Sequence, residues 1–138
     1  DLPSVWEQPI CWGDLDSFRH LNNVHYARFV ESARIRWMEQ LAYKAGGEER
    51  RKAIIGGKGV GLILKSLTIN YRRPVVYPDT LLLSQRVHSQ EPTQFSLESI
   101  IYSLSQRTRV ANADSLCVWY DYEQLKKCEA PREMEVHP

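Results

Sequence analysis

The chain has 138 residues, 18 Lys+Arg against 17 Asp+Glu, and a formal net charge of +1. That length suits one compact domain with its own core, and balanced, scattered charge argues against a nucleic-acid binder, which carries a basic stripe. With 25% charged residues, 10% aromatics and a mean hydropathy of −0.44, the composition is that of a folded water-soluble domain and excludes a disordered chain. The three cysteines, Cys11, Cys117 and Cys128, are odd in number and lack CxxC spacing. Neither a disulfide scaffold nor a structural zinc site is expected, and a reducing compartment, cytoplasmic or mitochondrial matrix, fits best. No apolar run approaches the ~20 residues that cross a bilayer. The chain starts at Asp1 rather than Met, which leaves room for an upstream targeting segment.

The first segment, Val5 to Trp12, reads as a short strand running into a loop. That loop, Gly13 to Asn23, is dense in Asp, Ser, His and Asn, which favour turns and helix caps. A helix is expected from about Asn22–Val24 to Ala45. Tyr26, Val30, Ala33, Trp37 and Leu41 recur at steps of three and four and make one apolar stripe, which Phe29, Ile35 and Met38 widen. Charged residues from Arg28 to Glu39, including Arg34, occupy helical pair spacings, and Gly46-Gly47 gives a C-terminal stop.

The remainder reads as strands. A charged stretch, Glu48 to Lys52, leads to a Gly56-Gly57 turn. Strands are expected over Val60–Arg73 and around Leu81–Val87, bounded by Pro78-Asp79 and Pro92. Another covers Phe95–Ser105, apolar on both parities, and a last one covers Leu116–Tyr122. The tail from Lys126 is polar and is expected to fray. One helix followed by four long strands with short turns implies an antiparallel meander whose apolar face the helix covers. A single helix shields only part of such a sheet, so the other face or an edge is expected to meet a second copy. The fold class is α+β, in one domain spanning residues 1–138.

The most informative stretch is Trp12 to Tyr26, WGDLDSFRHLNNVHY. Two carboxylates, a His and two Asn precede the helix, whose first turn offers unpaired N–H groups and about half a positive charge. A thioester or ester oxygen placed there is polarised, and a carboxylate nearby can attack the carbonyl carbon or deprotonate water. The same residue types also serve simply as caps. HExxH, GxSxG, Walker and GxGxxG patterns are absent. The run Gly56-Gly57-Lys58-Gly59-Val60-Gly61 leads into a strand, so it reads as a turn and not a phosphate loop.

The pattern Asp-x-Asp-x-x-x-His-x-Asn-Asn-x-x-Tyr, filled by Asp14, Asp16, His20, Asn22, Asn23 and Tyr26, resembles the hot-dog-fold thioesterases. It is similar to the 4-hydroxybenzoyl-CoA thioesterase-like branch and to plant acyl-ACP thioesterase domains. Leu67-Thr68-Ile69-Asn70-Tyr71-Arg72-Arg73-Pro74 and Val110-Ala111-Asn112-Ala113 resemble that family's second and last strands. The resemblance implies a hot-dog fold, one long helix wrapped by about five antiparallel strands. It implies hydrolysis of an acyl-CoA or acyl-ACP thioester, with Asp16 as nucleophile or general base and the Asn23 amide as oxyanion donor. His20 and Asn22 then shape the loop, and Tyr26 lines the acyl pocket or packs. Arg19, Lys58, Arg72 and Arg73 are candidates for the carrier's phosphates. No metal or redox cofactor is called for. A homodimer or homotetramer is implied, with Thr93, Gln94 and Phe95 of a partner as further site candidates. One departure stands out: Arg19 occupies a position where many relatives have Gly. A non-catalytic hot-dog subunit, used for assembly or acyl binding, is the alternative that the sequence leaves open.

Overall fold

The computed structural model describes residues 4–138. A short strand β1 (Val5–Pro9) and a 3-10 turn (Trp12–Asp14) precede a long helix α1 (Val24–Ile55). Then come β2 (Val60–Tyr71), β3 (Thr80–Gln90), β4 (Gln94–Ser103), β5 (Thr108–Asp121) and a two-residue β6 (Lys126–Lys127). The sheet is antiparallel, in the order β1-β3-β4-β5-β2, with β6 added to the end of β5. This is the helix-wrapped α+β architecture that the resemblance implies.

The inner face of the sheet carries alternate residues. On β4, Phe95, Leu97, Ser99, Ile101 and Ser103 are buried while their neighbours are half-exposed. The opposite parity, with Ile100 and Tyr102, forms the outer face, so this strand is covered on one side within a single chain. From α1, Tyr26, Phe29, Val30, Ala33, Met38 and Ala42 descend onto the inner face. Ile35, expected in the stripe, points outward at 38% exposure. Two apolar clusters result. One packs Tyr26, Phe29 and Val30 against Leu81, Leu83 and Ile101, near the start of the helix. The other packs Met38 and Ala42 against Phe95, Leu97 and Trp119.

Buried Ser99 and Ser115 lie between the two clusters, and here a charged residue leaves the expected solvent face. Arg34 is buried, and its Nη1 donates to Ser115 Oγ at 3.4 Å. The Ser115 hydroxyl gives the guanidinium a polar contact that a wholly aliphatic core would deny it.

Gly46-Gly47 breaks the helix without ending it. Gly46 leaves helical geometry (φ −158°, ψ 21°) and Gly47 adopts φ 71°, ψ −157°, a region essentially confined to glycine. The chain then resumes helical geometry through the charged stretch that reads as a loop in sequence. Arg51 ties the two parts together, bonding Glu39 at 2.7 Å before the break and Glu48 at 2.5 Å after it. Ile54 anchors the second part in the core.

The tail is also more ordered than its polarity implies. Cys128 N–H donates to Trp119 O and Ala130 N–H to Pro92 O, each at 3.1 Å. These bonds bring Met134 and Val136 into the second cluster as buried members. Two apolar side chains in a charged segment are enough to seal that end of the core. Among the described residues, no helix is long and apolar enough to cross a membrane.

Candidate active site

The loop before α1 folds into a tight hairpin. Asp16 N–H donates to His20 O and Arg19 N–H to Asp16 O, both at 2.9 Å, and Leu15 and Leu21 pair as an isolated bridge. The turn needs one left-handed residue, and Arg19 supplies it at φ 63°. The loop therefore keeps the path that a glycine would allow, and Arg19 carries the strain. For a non-glycine residue that strain is ~1–2 kcal/mol, against ~0.5–1 kcal/mol of extra chain entropy lost by glycine. Arg19→Gly is thus expected to leave the loop intact and to raise stability slightly, by up to about 1 kcal/mol. Urea melts of the two proteins measure this.

The carboxylate of Asp16 is aimed back at its own hairpin. Its Oδ1 accepts Phe18 N–H at 2.9 Å and, more weakly, His20 N–H at 3.5 Å. Asn22 caps the helix: its Oδ1 accepts Val24 N–H at 3.2 Å, and its own N–H donates to Asp14 O at 3.0 Å. Asn23, the next residue, makes no side-chain cap bond. Its N–H has no acceptor among the described residues. The Asn23 carbonyl is occupied on both sides, by Tyr26 N–H and by Tyr71 Oη–H, each at 3.3 Å. The Asn23–Val24 peptide at the helix tip is thereby held, while the N–H of the preceding peptide, that of Asn23, stays available.

A cavity of 450 Å³ opens at this tip. Asp16, His20, Asn22, Asn23 and Tyr26 all line it, so five of the expected site residues converge. The end of β2 forms the opposite wall through Tyr71, Arg72 and Arg73, with the exposed ring of Phe18 on the rim. Tyr71 is a lining residue that sequence reasoning missed. It lies within the Asn70-Tyr71-Arg72-Arg73-Pro74 run already noted as family-like, which was the available signal.

Tyr26 is buried, and its ring meets Tyr71 edge-on at 5.0 Å. Burial, reinforced by Tyr71 and Asp79, pushes its phenol up to about 12. It is therefore a neutral wall at physiological pH and no general base.

Other expected residues lie elsewhere. Phe95 is 1% exposed, packed between Trp37 and Trp119 with ring centroids at 5.5 and 5.7 Å, and belongs to the core. Within one chain it packs in the core and does not line the cavity. Thr93 is half-buried beside it, its carbonyl accepting Trp119 N–H at 2.9 Å, and neither Thr93 nor Gln94 lines the cavity. Lys58 precedes β2 at the end remote from Tyr71, roughly 40 Å away along a strand of this length. Within one chain it does not reach the site.

A family model, the thioesterase-like superfamily, matches residues 10–136. The chain belongs to this superfamily. A curated relative, the chloroplastic acyl-acyl carrier protein thioesterase ATL3 of Arabidopsis thaliana, is 21% identical over 126 residues, covering 90% of this chain. The chain spans 63% of that relative's length. Among solved structures, the PA2801 protein of Pseudomonas aeruginosa superimposes with a TM-score of 0.76 at 23% identity, covering 94% of each chain. Slr0204, a 1,4-dihydroxy-2-naphthoyl-CoA thioesterase from Synechocystis, gives a TM-score of 0.76 at 17% identity, covering 96% of this chain and 92% of its own. At these identities the superpositions establish the hot-dog fold, and the thioesterase family rests on the sequence match.

Proposed function

We propose that this thioesterase-family protein hydrolyses an acyl-CoA, or an acyl-carrier-protein thioester, to a free acid and a thiol. The observation that supports the reading is that Asp16 and Asn23, whose N–H has no acceptor among the described residues, both line one open cavity. With the thioester oxygen on that N–H, the helix tip polarises the carbonyl and stabilises the oxyanion. Asp16 takes a proton from water as hydroxide adds to the carbonyl carbon, or its oxygen adds directly and water later cleaves the mixed anhydride. Collapse of the tetrahedral adduct breaks the C–S bond; the thiolate takes the proton that Asp16 holds or, in the direct-attack route, one released when water cleaves the anhydride. The chemistry draws on no metal or redox group.

The carrier's phosphates fit the cationic side of the mouth. Arg72 and Arg73 line the cavity and Arg19 stands in the hairpin beside it. None of the three is engaged in an ion pair with the described residues. The protein acts as a homodimer or homotetramer, since β2 is left as a long open edge of the sheet. Residues of a second copy then complete the acyl pocket. The reaction takes place in the cytoplasm or the mitochondrial matrix.

Free-thiol release from short, long and aromatic acyl-CoAs tests this reading. Turnover of at least one class is expected. A folded, oligomeric protein that releases thiol from none of them, nor from an acyl carrier protein, supports a non-catalytic hot-dog subunit instead.

A further inference from the structure

At the end of the sheet nearest the helix start, three connections lie together. Ile10 N–H donates to Asp79 O at 2.9 Å, Leu104 N–H to Thr80 O at 3.1 Å and Leu21 N–H to Val75 O at 2.7 Å. Gln106 Nε2 reaches Pro74 O at 2.9 Å. These bonds join the segment before α1, the β2–β3 connection and the β4–β5 turn into one surface.

Each connection holds a large apolar side chain out in solvent. Trp12 is 76% exposed and Phe18 79%, while Val76, Tyr77 and Leu104 are exposed at 44%, 47% and 47%. Arginines stand among them. Arg19, Arg72, Arg73, Arg107 and Arg109 are all exposed, and none is in an ion pair with the described residues. The carboxylates of the same connections are turned onto their own loops: Asp14 accepts Cys11 N–H, Asp16 accepts Phe18 N–H, and Asp79 accepts Thr80 N–H and Ser103 Oγ–H. Cationic charge therefore faces outward beside a group of apolar side chains, and such grouped exposure marks an interaction surface.

A second copy paired along β2 lies beside the sheet and not beyond its end. Trp12 follows β1, the edge opposite β2, and Leu104 follows β4 in the middle, so that pairing leaves both uncovered. Trp and Tyr beside Arg is the composition of bilayer interfaces, where amphipathic rings settle at the headgroup level and basic side chains meet lipid phosphates.

We propose that this end of the molecule docks on an anionic bilayer surface, with Trp12, Tyr77 and Leu104 at the headgroup level and Arg107 and Arg109 against lipid phosphates. The cavity lined by Asp16 and Asn23 opens at the same end, so docking sets its mouth against the layer in which long acyl chains dissolve. The docking itself does not depend on the catalytic reading.

Cosedimentation of the full chain with phosphatidylcholine vesicles, with and without about one-third phosphatidylglycerol, tests this. Binding to the anionic vesicles is expected to be about tenfold or more tighter than to the neutral ones, to weaken with added salt, and to shift tryptophan emission to the blue. Trp12→Ser is expected to lose the shift and to weaken binding about tenfold. Arg107→Gln combined with Arg109→Gln is expected to weaken it by about tenfold or more. Leu104→Ser carries the apolar test if the Trp12 variant does not fold. Binding to neither vesicle, equal binding to both, or binding unchanged in the variants overturns the proposal. Retention of an acidic carrier protein through Trp12 and the arginines, with anionic vesicles left unbound, assigns the face to a protein and overturns it as well.

Discussion

Asp16→Asn is expected to lower kcat for thioester hydrolysis by about 10³-fold, within the ~10²–10⁴ that a positioned general base contributes. The substitution is close to isosteric, and an amide oxygen can still accept the Phe18 and His20 N–H groups that hold the hairpin. Stability should therefore change by no more than about 0.5 kcal/mol, and the Asn22 cap and the cavity should be unaltered. Steady-state thiol release beside a thermal melt separates the two effects. An unchanged kcat in a folded variant would remove the carboxylate from the chemistry and leave the helix tip as a binding feature only.

Phe95→Ala is expected to act on stability and not on substrate binding. The ring sits between Trp37 and Trp119 in a fully buried cluster, and emptying such a site costs ~3–5 kcal/mol, since the surroundings relax only in part. For a domain of this size that corresponds to a fall in Tm of about 10 °C or more. Phe95→Leu refills most of the volume and should recover the greater part of the loss. At a temperature where all three proteins are folded, KM should be the same. A raised KM with an unshifted melt would return Phe95 to the site.

Much of this organisation is visible in the order of residues. The three- and four-residue spacing from Tyr26 to Leu41 fixes the helix because both faces of that pattern obey local geometry. The Asp16-to-Tyr26 motif locates the cavity because hairpin, cap and helix tip are consecutive in the chain. What escapes is what depends on partners distant in sequence. Gly46-Gly47 signals a stop, yet the helix resumes because Arg51 reaches back to Glu39 and Ile54 finds the core. Arg34 reads as a surface charge, and only the buried serine of a strand 81 positions on explains its place. Met134 and Val136 look like isolated apolar residues in a polar tail until Trp119 and its neighbours lie beneath them. Tyr71 joins the site for the same reason, through a strand that ends at the helix tip.

In the proposed reaction the main-chain N–H of Asn23 receives the thioester oxygen. A non-hydrolysable acyl-CoA, with a methylene in place of the sulfur, retains that carbonyl oxygen. In an amide-resolved NMR titration of the protein with this ketone, the Asn23 N–H resonance should move furthest and shift downfield, with Asp16 and Tyr26 responding beside it. Saturation of the protein with Asn23 unmoved, and the largest changes placed away from the helix tip, would show that the carbonyl binds elsewhere.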